Sequence, residues 1–87
     1  MASYELLFRK SVAKDLRALP KADVKRLMQR VRALADDPRP DGCEKLSGQE
    51  RYRVRQGVYR IIYEIEDARL IVLIVRVGHR REAYRQR

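Results

Sequence analysis

The sequence predicts an α+β fold: a β-α-α unit followed by an antiparallel β-meander, two helices packed on one face of the sheet, and a short C-terminal helical or irregular segment. Three observations predict it. Apolar residues recur at spacings of three and four between Val12 and Leu34, the period switches to two from Glu44 onward, and a long apolar run, RLIVLIVRV, follows at residues 69 to 77. The 87 residues suffice for one domain, 1–87, around one core, and are too few for two.

Tyr4 to Phe8 (YELLF) reads as a first strand, being short, aromatic and aliphatic. Ser11 offers an N-cap for a helix whose stripe is Val12, Leu16 and Leu19, and Pro20 ends it. A second helix runs from Lys21 with Val24, Leu27, Met28, Val31 and Leu34 on one side. Its Lys25, Arg26, Arg30 and Arg32 read as a solvated face. The connector DDPRPDG, residues 36 to 42, stops this helix because proline disfavours helical geometry in the residue before it. Lys45-Leu46 begins a short strand or turn, and Arg51 to Gln56 and Tyr59 to Glu66 form two strands. Glu66 and Asp67 before Ala68 make a tight turn into Arg69 to Val77, apolar on both faces and so expected to be central, until Gly78 ends it.

The chain carries 21 basic and 12 acidic side chains, a net charge of +9, and a pI near 10.3. That balance favours a polyanionic partner such as nucleic acid. All five lysines precede Arg51, whereas the ten bases from Arg51 to Arg87 are arginines, set against four acids. Arginine matches phosphate with a planar fork, although a GC-rich genome also enriches it. Cys43 is the single cysteine, which excludes an internal disulfide and a thiolate metal cluster and suggests a passive role. No His/Cys/Asp cluster has metal-ligand spacing, so neither metal nor cofactor is expected. No apolar run nears the roughly 20 residues that span a bilayer, and the N-terminus lacks a signal-peptide core, so the cytoplasm is the expected location and a membrane is not an expected partner.

The densest chemistry lies in RYRVRQGVYR, residues 51 to 60. Gly57-Val58 suits a type II′ two-residue hairpin turn, which sets Gln56 against Tyr59, Arg55 against Arg60, Val54 against Ile61, Arg53 against Ile62 and Tyr52 against Tyr63. Alternation then places Arg51, Arg53, Arg55 and Arg60 on one face as a cationic plate and Tyr52, Val54, Tyr59, Ile61 and Tyr63 on the core face. Like charges opposed across a strand pair are destabilising, which points to an anion between Arg55 and Arg60, with solvated arginines as the plainer reading. In the tail VGHRREAYRQR, His79, Arg80, Arg81, Tyr84, Arg85 and Arg87 add bases, a stacking ring and the one histidine, which is either an acid/base candidate or a solvated side chain.

In order, KDLRALP, DPRP, KLSG, YRVRQGVYRIIYEI and VGHRREAY resemble the RelE/ParE superfamily of bacterial and archaeal type II toxins, most closely its RelE branch, from Tyr4 to Arg85. The resemblance implies a toxin of a toxin-antitoxin system: a metal-independent endoribonuclease that cleaves mRNA in the ribosomal A site. It also implies an acidic, partly disordered antitoxin bound in a hetero-oligomer. Carried over by position, it gives site roles to Arg53, Arg55, Arg60, Arg80 and Tyr84, with Arg81 in place of Arg80 if the match slips by one residue. The family prototype has lysines where Arg53 and Arg55 stand, and arginine gives up a proton far less readily.

The implied reaction is attack of a 2′-hydroxyl on the adjacent phosphodiester. Arg55, Arg60 and Arg80 stabilise the phosphorane, Tyr84 stacks, orients or takes the proton, and His79 is the spare base or acid. Arg51, Arg53, Arg55, Arg81 and Arg85 are the candidates for substrate binding. Two other classes stay open: a ParE-like inhibitor of DNA gyrase acting through protein contacts, and a non-catalytic RNA-binding module.

Overall fold

The computed structural model describes residues 3–46 and 50–79. Strand β1 (Glu5–Phe8) leads into helices α1 (Lys10–Arg17) and α2 (Lys21–Asp36), then β2 (Glu44–Leu46), β3 (Arg51–Gln56), β4 (Tyr59–Glu66), a 3₁₀ turn (Asp67–Arg69) and β5 (Ile71–His79). The five strands form one sheet in the order β1-β5-β4-β3-β2. The expected meander is present, since β2 to β5 pair antiparallel in sequence order. β1 joins its far side parallel to β5, which makes the sheet mixed.

Period-two patterning produces the core directly. Tyr52, Val54, Ile61, Tyr63, Ile65, Val72, Ile74 and Val77 are buried on one face, against Val12 of α1 and Leu27, Val31 and Leu34 of α2. Of the stripe read from α2, Leu27, Val31 and Leu34 are buried, whereas Val24 and Met28 are half-buried. Among the described residues, neither helix covers the opposite face, where Leu7 is 40% exposed.

Several boundaries differ from the sequence reading. α1 starts at Lys10, and Arg9, in extended geometry, precedes it without a side-chain cap bond, so Ser11 lies inside the first turn and is not the cap. The helix ends at Arg17, and Pro20 instead opens α2, a position that its fixed φ suits. β5 starts at Ile71 because the 3₁₀ turn uses Asp67 to Arg69, and Leu70 takes a left-handed φ of 54°. Gly78 lies within β5, paired with Arg60, and does not end the strand. β5 also contains a bulge: Ile62 pairs with Arg76 but Tyr63 with Ile74, so Val75 has no partner on β4. The C-terminal segment expected after the sheet, from residue 80, lies outside the described residues.

Two polar ties place the helices and connector. Where β1 stops, α1 takes over the edge of β5: the Arg9 amide donates to the Ile74 carbonyl (3.0 Å) and Asp15 Oδ2 accepts from the Val77 amide (3.1 Å). In the connector, Arg39 holds the Asp67 carboxylate with both Nη atoms (3.2 and 2.9 Å), and its Nε donates to the Tyr52 hydroxyl (3.3 Å). The Tyr4 hydroxyl donates to the same Asp67 (2.7 Å), and the Tyr63 hydroxyl donates to the Pro38 carbonyl (2.7 Å). Burial raises the Tyr63 phenol far above its ordinary value, so it remains a donor.

Leu27→Ala removes a fully buried side chain from the interface between α2 and the sheet. It is expected to destabilise the fold by about 2–5 kcal/mol, read as a shifted urea midpoint. Arg39 first, then the Tyr4 hydroxyl, holds the Asp67 carboxyl below its ordinary 3.8. A carboxylate whose folded-state pKa is depressed contributes stability above its unfolded value and loses it as pH falls through the folded value. The thermal-midpoint gap between wild type and Asp67→Asn is therefore expected at neutral pH and should close as the pH drops below 3.8.

Candidate functional site

The site is built on the hairpin of β3 and β4. Gly57 has φ +61° and Val58 is not among the positive-φ residues, the signature of a II′ turn. Six cross-strand pairs follow from it, including Tyr52 with Tyr63, Arg53 with Ile62, Val54 with Ile61 and Arg55 with Arg60. The pair closing a two-residue turn is hydrogen-bonded, so alternation makes Arg55 and Arg60 a non-hydrogen-bonded pair, with Cα atoms about 4.5 Å apart. Two guanidinium stems thus stand side by side on the face that neither α1 nor α2 covers.

Arg51, Arg53, Arg55 and Arg60 do share that face, as expected, but it is not a uniform cationic plate. One carboxylate meets Arg51 and another meets Arg53. Arg51 Nε donates to Glu64 Oε2 at 2.8 Å from across β4, and Arg53 pairs through Nη2 with Glu44 Oε1 of β2. The hydrogen bond and charge of Arg53, then the charges of Arg55 and Arg60, hold the Glu44 carboxyl below its ordinary value. Glu44 is therefore an anion that the arginine cluster already attracts. Arg60 is 6% exposed and Arg55 lies open to solvent. Ile62, between Arg53 and Arg76 in register, is 5% exposed although it lies on the face away from α1 and α2.

Sequence reasoning missed Glu44, Glu64 and Arg76. Extending the hairpin register by one pair reaches Glu64 opposite Arg51, whereas Glu44 needs the β2 pairing and Arg76 needs the bulge.

His79 lies on the other face of the sheet from the hairpin arginines. It pairs with Tyr59, and the two rings meet edge to face with centroids 6.3 Å apart. The Tyr59 hydroxyl donates to Asp23 Oδ2 of α2 at 2.6 Å, which sets this pair on the helix side of the sheet. That bond, then burial, raises the Tyr59 phenol, so Tyr59 is ill suited to act as a base. Arg80, Arg81, Tyr84 and Arg85 lie outside the described residues. Among the described residues, no group of three or more His, Cys, Asp or Glu could hold a metal ion, and no helix is long and apolar enough to cross a membrane.

The same arrangement of strands and helices occurs in known proteins. A family model for the ParE toxin of the type II toxin-antitoxin system parDE matches residues 6–84. The chain belongs to the RelE/ParE toxin superfamily. A Methanocaldococcus jannaschii relative named as a RelE1 toxin is 31% identical over 80 residues, covering 87% of this chain and 89% of the relative. The toxin-antitoxin complex RelBE2 of Mycobacterium tuberculosis contains a chain superposing with a TM-score of 0.82 at 28% identity, over 92% of this chain and 94% of that one. In the RelE-RelB complex of Pyrococcus horikoshii the values are 0.80 and 31%, over 90% and 96%. This RelE-type toxin therefore shares its full architecture with chains crystallised beside RelB antitoxins.

Two substitutions test the hairpin. Gly57→Ala is expected to cost about 1–2 kcal/mol in urea unfolding through its left-handed φ, since no atom lies within 4 Å of the added Cβ. Arg55→Thr removes one of two opposed cations and is expected to stabilise the protein by about 0.2–1 kcal/mol, seen as a higher melting midpoint.

Proposed function

We propose that this toxin is a metal-independent endoribonuclease that cleaves mRNA in the ribosomal A site: a 2′-hydroxyl attacks the adjacent phosphate, the bond to the 5′-oxygen of the next nucleotide breaks, and a 2′,3′-cyclic phosphate and a protonated 5′-hydroxyl result. The observation that carries this reading is the Arg55/Arg60 pair on an uncovered sheet face, flanked by Arg53. Resemblance to the RelE toxins supports it.

Pentacoordinate phosphorus carries more negative charge than the diester, and guanidinium forks fixed by a sheet oppose that charge with little reorganisation. Arg60, being nearly buried, interacts at a lower effective dielectric than the exposed Arg55. Arg80 adds a third cation and Arg51, Arg53, Arg81 and Arg85 hold the substrate backbone in this proposal. Arginine does not deprotonate near neutral pH, so none of these groups removes the 2′ proton. In this proposal Tyr84 orients the hydroxyl or accepts its proton, with His79, whose ring meets Tyr59 on the helix side, as the spare base or acid. Such a site is strong in charge and weak in proton transfer, and it gains from a substrate already positioned by the ribosome. A RelB-like antitoxin with acidic segments is the proposed partner, because RelB accompanies the related toxins in their crystals.

A gyrase-poisoning reading has one observation in its favour, the match to a family model named for ParE. It predicts inhibited supercoiling and intact mRNA. In a purified translation system, wild type is expected to cut ribosome-bound mRNA and to leave gyrase supercoiling unaffected. Arg60→Ala should cut about 10²–10³-fold more slowly, while Tyr84→Phe should lose more activity than His79→Asn. Unchanged cleavage by both Arg60→Ala and Tyr84→Phe would sink the proposed site.

A further inference from the structure

We infer that Arg76, together with Arg9 and Arg51, forms a second phosphate position on the uncovered face, where it holds the mRNA backbone beside the scissile group. This rests on the ribonuclease reading above. Arg76 reaches that face because of the Val75 bulge. Ile74 is a core residue, so an unbroken alternation would also turn residue 76 into the core; the extra residue turns Arg76 outward and leaves Val77 buried. Arg53, Ile62 and Arg76 then form one row across three strands, with the two arginine Cα atoms roughly 10 Å apart at ordinary strand spacing.

Arg76 Nε is buried and has no hydrogen-bond partner among the described residues. A guanidinium desolvated at one nitrogen without an acceptor is costly in a folded chain, and a phosphate in the cleft that Arg76 borders would offset that cost by placing a negative charge beside the cation. Arg76 borders a cleft of about 230 Å³ shared with Arg9, Ser11, Asp15, Arg51 and Val75. That is below the roughly 300–1,000 Å³ of a drug-sized pocket and suits a phosphate better than a whole nucleotide. Asp15 is the one carboxylate among these lining residues, and its Oδ2 accepts the Val77 amide. Glu64 pairs with Arg51 at 2.8 Å and is not among the residues lining the cleft.

An acidic protein segment would satisfy the same charges. Protein interfaces, however, gain most of their energy from buried apolar anchors, and among the described residues Val75 is the only apolar one lining this cleft. A polynucleotide needs no such anchor, and its repeating phosphates can engage both ends of the arginine row.

The test is fluorescence anisotropy with a 2′-O-methyl RNA of about 12 nucleotides, which cannot be cut, titrated across a salt series. Arg76→Gln should bind roughly tenfold more weakly at low salt and flatten the slope of log K against log salt by about 0.7. Arg76→Lys, which keeps the charge, should retain the slope. Arg32→Gln, on the exposed side of α2, should behave as wild type. If Arg76→Gln fails to fold by circular dichroism, Arg9→Gln, which changes an exposed side chain, carries the same expected loss. Wild-type affinity and slope in the folded variant would overturn the proposal, as would a loss confined to binding of a polyglutamate peptide. A wild type that binds RNA through Arg76 yet leaves ribosome-bound mRNA intact would overturn the ribonuclease reading and leave this site standing.

Discussion

The positive φ of Gly57 is the constraint on which the rest of this structure depends. A two-residue turn fixes the register of β3 against β4, and a slip by one residue would move every side chain of a strand to the other face. In the observed register Tyr52 and Tyr63 stack with centroids 5.9 Å apart on the core side, while Arg55 and Arg60 meet on the other. Core and candidate site are therefore consequences of one turn. The stacked tyrosines also reach the connector, since Arg39 lies over the Tyr52 ring and the Tyr63 hydroxyl holds Pro38.

Electrostatically, the uncovered face is a set of cations with built-in counter-anions. Glu44 and Glu64 offset Arg53 and Arg51, while Arg55 and Arg60 keep a like-charged opposition that local stability does not favour. Arginine rather than lysine also matters at Arg60, because a lysine at 6% exposure would tend to shed its proton, whereas a guanidinium retains its charge. An anion approaching Arg53 must compete with Glu44, so the site selects for ligands of greater charge than one carboxylate.

Much of this was legible in the sequence. The helix stripe of α2, the bounds of β3 and β4, and all five hairpin pairs from Gln56/Tyr59 to Tyr52/Tyr63 follow from periodicity and one glycine. β5 was less legible for a definite reason: in IVLIV every residue is apolar, so alternation carries no phase and a bulge leaves no trace. The same loss of phase hid the direction of Arg76 and the helix-side position of His79. Ser11 looked like a cap because hydroxyls commonly cap helices, yet the Ile74 carbonyl holds the Arg9 amide and the cap position falls two residues earlier, at Arg9. Glu44 was invisible as a site residue because β2 has only three residues, too few to show a period.

Asp15 has a consequence beyond packing. β5 outruns β1 by five residues, from Val75 to His79, and a bare ladder of that length invites a second chain to add a strand. One carboxylate on the Val77 amide, with the body of α1 behind it, closes that template. The outer strands β1 and β2 are four and three residues long and carry Glu5, Glu44 and Lys45. A small sheet with one uncovered face thus guards against edge-to-edge aggregation by brevity at its two outer strands and by a helix laid along its longest one.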